Sequence, residues 1–363
     1  MKIDLNTYID FSIPEGKKFS DLQAYVSLTL PNEVQEDFCK INHIGCVTSD
    51  NEDLLMVIKT DEKHFSLLPG PEFSPRLYRG QTIFYDRCVP ALFRQPFTQI
   101  KYLTDLLKKY EFCKLMFSHP VLMYLYNWKL SDLSFKVDLD GMAAHYEFGT
   151  PFLDVTRSKD VAMFFALCEK NDNNYLPIMD ENRTAVLYTV NLNALIKENK
   201  SDFHVVGFQA LPRPDAQKAY SVIVGYDQNF NDYKSIKYEL IKVDRKQSKK
   251  YYELFEGGRL LFPKDPIDVW AEEIKKSMEI DSEVLETSYS QKLIPNVWPK
   301  FSELIKFLEK FGYRVCEKDL NFSNSEINDI QDAWNKNPPL NFDRVKCGAA
   351  PVLTGHLKAG NKL

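Results

Sequence analysis

Between Phe152 and Cys168 an apolar strand gives way to an apolar helix across a four-residue turn, and this unit constrains the chain more than any other. Asp154-Val155-Thr156 ends the strand, Arg157-Ser158-Lys159-Asp160 makes the turn, and Val161-Ala162-Met163-Phe164-Phe165-Ala166-Leu167 opens the helix. Val161, Phe164, Phe165 and Cys168 recur at helical spacing, so one helix face must be buried. Ser158 is placed to cap the helix, and Asp160 suits its positive end. For the apolar positions this is a well-capped core helix and nothing more. The polar residues just before it have a sharper reading. Asp154 and Thr156 stand where the strand emerges beside a helix N-terminus, a natural place to hold a ribose or a phosphate.

Around this unit strands crowd the middle of the chain and helices its end. A buried strand is expected at 53–59, and further strands at 184–190, 203–208, 220–224 and 236–241. Helices are expected at 19–30, at 100–126 with Pro120 kinking or dividing it, and at 138–146. After Asp244 the pattern turns helical at 249–255, 268–278, 299–311 and 324–336, the last capped by Asn324 or Ser325. The Pro-rich stretch 69–75 reads as a loop or linker, and the tail beyond Pro338 is poor in periodicity.

Composition removes several function classes. The 19 Tyr and 25 Phe among 363 residues allow a sizeable core. A net charge of -5 argues against broad nonspecific binding to nucleic acid, which needs a positive field. The basic run from Arg245 to Lys250 reads more readily as a solvated helix face than as a phosphate-binding patch. No apolar leader follows Met1 and no apolar run approaches a membrane span, so a cytoplasmic protein without a membrane partner is expected. The seven cysteines are scattered and never spaced Cys-x-x-Cys, which fits reduced thiols and no zinc site.

Four ordered segments carry a resemblance. Leu77-Tyr78-Arg79-Gly80-Gln81 puts an arginine and a glycine on an apolar strand. His145-Tyr146-Glu147-Phe148-Gly149-Thr150-Pro151 leads into the strand–turn–helix unit. Arg213 precedes Gln217 and then the strand Tyr220-Ser221-Val222-Ile223. Gly257-Gly258-Arg259-Leu260-Leu261-Phe262-Pro263 is followed by Trp270-Ala271. Together they resemble the FRG domain, a bacterial family named for a Phe-Arg-Gly motif, with Tyr78 in place of the Phe.

A second resemblance is to ADP-ribosyltransferases. There an Arg-Gly on one strand is followed by a Ser-Thr-Ser triplet, four residues, and a Val-Ala opening an apolar helix. Here Arg79-Gly80, Asp154-Val155-Thr156 and Val161-Ala162 occupy those places. The resemblance implies an α+β fold with a split, mostly antiparallel sheet, flanking helices and a helical C-terminal extension. It implies an FRG domain over 70–277, an N-terminal extension over 1–69 packed on the core, a helical region over 278–340 and a tail over 341–363.

The same resemblance implies NAD as substrate, without a metal. ADP-ribose would pass to a protein or nucleic-acid acceptor, or the glycosidic bond would be hydrolysed, in a bacterial effector, toxin or defence protein. Arg79 would clamp a phosphate, with Gly80 and Gln81 beside it. Asp154 and Thr156 would line the site, His145 and Tyr146 its wall, and Gln217 would address the ribose. The family's late glutamate is replaced by Gln217, which carries no negative charge for a developing cation.

Plainer readings stand beside these. Arg79 could simply pair with Asp86 or Asp154, Gln217 could be a strand-edge polar residue, and His145 a structural hydrogen-bonder. The same cleft could also serve a noncatalytic module that binds a nucleotide or a protein. A hydrolase or nuclease would need a metal-ligand or nucleophile constellation, and no His, Asp and Glu spacing supports one.

Overall fold

In the computed structural model the described residues run from 62 to 336 with short gaps at 71–75, 95, 128, 131–132, 172–173, 192–193, 196–202 and 205, together with strand segments at 9–11, 43–48, 54–59 and 345–347. The helix expected at 19–30, residues 71–75 of the expected loop and the tail beyond Pro338, apart from 345–347, lie outside them; Pro69 and Gly70, expected in that loop, instead end a strand paired with Leu54–Lys59.

The main sheet has six strands: β1 (Arg76–Gln81), β2 (Phe152–Thr156), β3 (Thr184–Asn191), β4 (Phe203–His204), β5 (Ala219–Ile223) and β6 (Ile236–Lys242). Their spatial order is β4-β5-β2-β1-β3-β6, and every pair is antiparallel. A second sheet of five strands joins His43–Thr48, Leu54–Lys59, His64–Gly70, Leu133–Phe135 and Lys129–Leu130, with one parallel pair. With helices flanking the antiparallel main sheet, the fold class is α+β.

The helices are α1 (Gln99–Met116), α2 (Pro120–Tyr126), α3 (Leu139–His145), α4 (Lys159–Leu167), α5 (Pro212–Ala216), α6 (Arg245–Leu254), α7 (Ile267–Lys276), α8 (Ser282–Ser290), α9 (Phe301–Lys310) and α10 (Asn324–Lys336). Pro120 divides the helix expected over 100–126 rather than bending it. It opens α2 at a position where its missing N–H costs nothing. Of the strand expected over 203–208, Phe203 and His204 pair as strand with β5, and Gly207, with φ of 62°, donates to the Ala219 carbonyl outside the ladder. Helix α6 begins four residues earlier than its apolar pattern suggests, because Asp244 caps it through the Gln247 N–H and the basic run becomes its first turn.

Helix α4 lies against β1 and fixes the centre of the fold. Its Ala162, Met163, Ala166 and Leu167 join Ala185 and Leu187 of β3 in one apolar cluster, with Tyr78 packed on it. Ser158 caps α4 through the Val161 N–H, as its sequence predicts. The region after α7 has no core to itself. Its Ile280, Val284, Leu285, Trp298, Leu304 and Leu308 pack with Leu103, Leu106 and Leu107 of α1. Phe322, Ile330 and Trp334 enter the larger cluster around Phe112 and Leu115. Helix α1 gives Leu103, Leu106 and Leu107 to one cluster and Phe112, Leu115 and Met116 to the other, which is why no single amphipathic stripe describes it.

Candidate functional site

A cleft of about 580 Å³ opens where β1, β2 and the approach to β5 meet the N-terminus of α4. That is within the usual size range of a small-molecule site. Arg79, Gly80, Gln81, Asp154, Thr156, His145 and Gln217 all line it, although they come from four separated stretches of chain. Sheet pairing accounts for the convergence. Tyr78 stands opposite Thr156, Thr156 opposite Ala219, and Asp154 opposite Ser221.

Gly80 sets how closely helix and sheet approach. A Cβ built there would lie 1.7 Å from the Ala162 carbonyl oxygen and 2.7 Å from the Ala166 nitrogen, both backbone atoms. Glycine at this position, facing two alanines one turn apart, lets the helix backbone rest directly on the strand.

Arg79 is half-buried and forms no ion pair with any described residue. Its Nη1 donates to the main-chain carbonyl of Asp154 at 2.6 Å, not to the carboxylate, and its Nε is buried without a partner. The ion pairs considered for it with Asp86 or Asp154 are therefore absent among the described residues. Asp154 keeps its carboxylate for the cleft. It is 43% exposed and accepts only a long bond, 3.4 Å, from the Ser221 hydroxyl.

Thr156 is buried and fully employed. Its hydroxyl donates to the Gln217 carbonyl at 2.8 Å and accepts from the Ser158 N–H at 3.0 Å. It thereby ties the end of β2 to both the α4 cap and the turn before β5.

Gln217 ends α5 rather than starting the following strand. Its side chain is buried, with Nε2 donating to the Leu261 carbonyl at 3.0 Å and Oε1 meeting His145 Nδ1 at 3.1 Å. The Leu261 carbonyl can only accept, so the amide oxygen must face the imidazole. Nδ1 then has to be the donor. Neutral His145 therefore carries its proton on Nδ1 and leaves the Nε2 lone pair free. That Nε2 is buried without a hydrogen-bond partner, 4.0 Å from Asp154 Oδ1.

Tyr146 lies away from this cleft. It is 1% exposed, its ring is packed on Phe112, and the Arg213 guanidinium sits 4.2 Å above it. Burial pushes its phenol well above the ordinary value. It lines a neighbouring pocket shared with Arg213, Phe262 and Lys275, which touches the first only through Lys170 and Tyr175.

Sequence reasoning missed Arg94. It follows a 3-10 turn at Ala91–Phe93 and lines the cleft with Arg79. Partial enclosure first, and then the positive charge of Arg79, lower its guanidinium below the ordinary value, while Cys88, Tyr85 and Asp154 oppose the shift. The residue as a whole remains exposed, so the neighbouring charge is the informative part. Its described contact is a 3.4 Å bond from Nε to the Val89 carbonyl, with no carboxylate. No motif marks it. Two bonds from Cys88 to the 229–230 turn hold the loop: its N–H donates to Asn229 Oδ1, and its carbonyl accepts from the Phe230 N–H. Tyr85 and Ile83 of the same loop are exposed at the cleft mouth.

The cleft is electropositive within an acidic chain. Arg79, Arg94, Lys170 and Arg183 line it against two carboxylates, Asp154 and Glu169; Glu169 is held by Arg183 at 2.5 Å and Lys170 by Glu147, so the excess rests on Arg79 and Arg94. Among the described residues no group of His, Cys, Asp and Glu could hold a metal ion, and no helix is long and apolar enough to cross a membrane.

Comparison with known proteins adds one result. Residues 74–175 match the FRG domain family, a span that contains Arg79, Gly80, Arg94, His145, Asp154, Thr156 and all of α4. No curated protein and no solved structure matches the chain.

Proposed function

We propose, from the premise that this chain carries an FRG domain, that the cleft binds a nucleotide by its phosphates and acts on NAD, transferring ADP-ribose or hydrolysing the nicotinamide bond. The observation that carries this reading is that two arginines, Arg79 and Arg94, line one cleft and neither has an ion-pair partner among the described residues. Two guanidinium groups facing one cleft repel each other, and an anion bound between them relieves that repulsion. A pyrophosphate meets that need, since each arginine can present two parallel N–H groups to phosphate oxygens. Tyr85, exposed at the mouth, offers a flat face to a base.

The direct test is titration of the purified protein with NAD and ADP, with released nicotinamide followed by chromatography. Binding of both, with release from NAD, is expected. Arg79→Ala is expected to weaken ADP binding by roughly 10- to 100-fold, the scale of a lost charge-assisted hydrogen bond. Its melting temperature should stay near that of the wild type, and Arg79→Lys should recover only part of the affinity. An equal loss of stability and affinity would instead assign Arg79 a structural role. Arg94→Ala is expected to weaken ADP binding about 10-fold and to flatten its salt dependence. Unchanged affinity across salt concentrations would remove Arg94 from the site.

A second reading keeps the binding and drops the chemistry. It is favoured by Gln217, an amide where the resembling enzymes have a carboxylate, with both ends of its side chain already bonded inside the protein. Under that reading NAD binds and no nicotinamide appears.

A further inference from the structure

The amide at Gln217 leaves the cleft short of a carboxylate only if the carboxylate must come from that position. We infer that Asp154 supplies the negative charge for the cationic ribose carbon, with His145 behind it as proton acceptor and Gln217 as the positioning residue that fixes the imidazole. This deepens the reading of the cleft as an NAD site and rests on it.

Three observations support the assignment. Of the two carboxylates lining the cleft, Glu169 is paired with Arg183, whereas Asp154 is 43% exposed and held only by the long bond from Ser221. Arg79 takes the main-chain carbonyl of Asp154, so the guanidinium orients the residue without quenching its charge. Behind it the buried His145 Nε2 has no hydrogen-bond partner and lies 4.0 Å from Asp154 Oδ1. A buried acceptor left unpaired is costly, so its retention beside a free carboxylate needs a reason. A proton between the two would satisfy both, as an imidazolium–carboxylate pair.

The arrangement balances for the proposed reaction. The bond from C1′ of the ribose to the nicotinamide nitrogen breaks, its electron pair passes to the pyridinium, and nicotinamide leaves neutral. The oxygen of water or of an acceptor hydroxyl forms the new bond to C1′. Its proton passes by way of the Asp154 carboxylate to His145 Nε2. Asp154 stabilises the positive charge that develops on the sugar while the old bond is breaking. Gln217 touches neither substrate nor sugar in this scheme. Its bond to Leu261 turns the amide oxygen toward Nδ1, which keeps the lone pair on Nε2.

The test has two arms. In the first, nicotinamide release and NAD binding are measured for wild type, Asp154→Asn and Asp154→Glu. Asparagine keeps the size of the side chain, so the melting temperature should not move. Turnover should fall at least 100-fold with NAD affinity within about threefold of wild type. Glutamate, which retains the charge, should keep more turnover than asparagine. Turnover of Asp154→Asn within threefold of wild type overturns the assignment. So does a wild type that binds NAD and releases no nicotinamide, a result that leaves the nucleotide-binding reading standing. Absence of NAD binding overturns that reading and this inference with it.

In the second arm, imidazole nitrogen shifts are recorded by NMR without any ligand, with His145→Asn identifying the signal. Neutral His145 protonated on Nδ1 is expected in the wild type, and loss of that preference in Gln217→Ala. A wild-type His145 protonated on Nε2, or a Gln217→Ala spectrum unchanged in tautomer, overturns the positioning role whatever the fate of the chemistry.

Discussion

Gly80→Ala is expected to destabilise the protein by about 3 kcal/mol or more, at the upper end of what overpacking a core costs. The added methyl would fall 1.7 Å from the Ala162 carbonyl oxygen, far inside contact distance. That oxygen belongs to the backbone of α4, so no side-chain rotation relieves the clash. Either the helix lifts from the sheet or β1 shifts, and both displace Arg79. Gly225→Ala provides the contrast, because its nearest neighbour is the flexible Gln228 side chain, with Oε1 at 3.2 Å. That change should cost under about 1 kcal/mol, the usual effect away from the core. Denaturant unfolding of both variants, read at the midpoint, decides the matter. A Gly80→Ala protein as stable as wild type would mean that α4 and β1 are not in backbone contact.

The second large effect is expected at Lys318. Its Nζ lies 2.9 Å from Glu111 Oε2, and the Glu111 side chain is completely buried in α1. Burial pushes the Glu111 carboxyl up, and Lys318, followed by the Asp281 N–H at 2.6 Å, pulls it back. Lys318→Met would leave that carboxylate enclosed and unpaired. A loss of roughly 3–5 kcal/mol is expected, or on the order of 10 °C in melting temperature. Adding Glu111→Gln should restore part of it, because the stranded charge and not the missing contact dominates the cost. Loss of less than about 1 kcal/mol in Lys318→Met would show that the residues after α7 dock without this pair. The prediction matters for function because α1, which carries Glu111, also packs against α3, whose last residue is His145.

The sequence by itself determined the local units around the site. The Ser158 cap, the apolar face of α4 and the strands holding Arg79 and Asp154 follow from periodicity and capping chemistry, which act over a few residues. The limits of α10 follow from its periodicity, although its cap is Ser323, whose hydroxyl accepts the Glu326 N–H, and not Asn324 or Ser325. The matched family span, residues 74–175, starts just before the arginine strand and ends beyond α4, so it covers the part of the chain with the strongest local patterning.

Tertiary structure decided everything that depends on which backbones meet. Arg94 looks like any loop arginine until the loop after β1 folds back to the cleft that Arg79 lines. Tyr146 follows His145 directly, yet the end of α3 turns the two side chains to different pockets. The proton position on His145 is set by the carbonyl of Leu261, acting through Gln217 from 44 residues further on. Charge pairing, tautomer and burial are properties of neighbours in space. A chain whose sheet order is β4-β5-β2-β1-β3-β6 draws those neighbours from residues far apart in sequence.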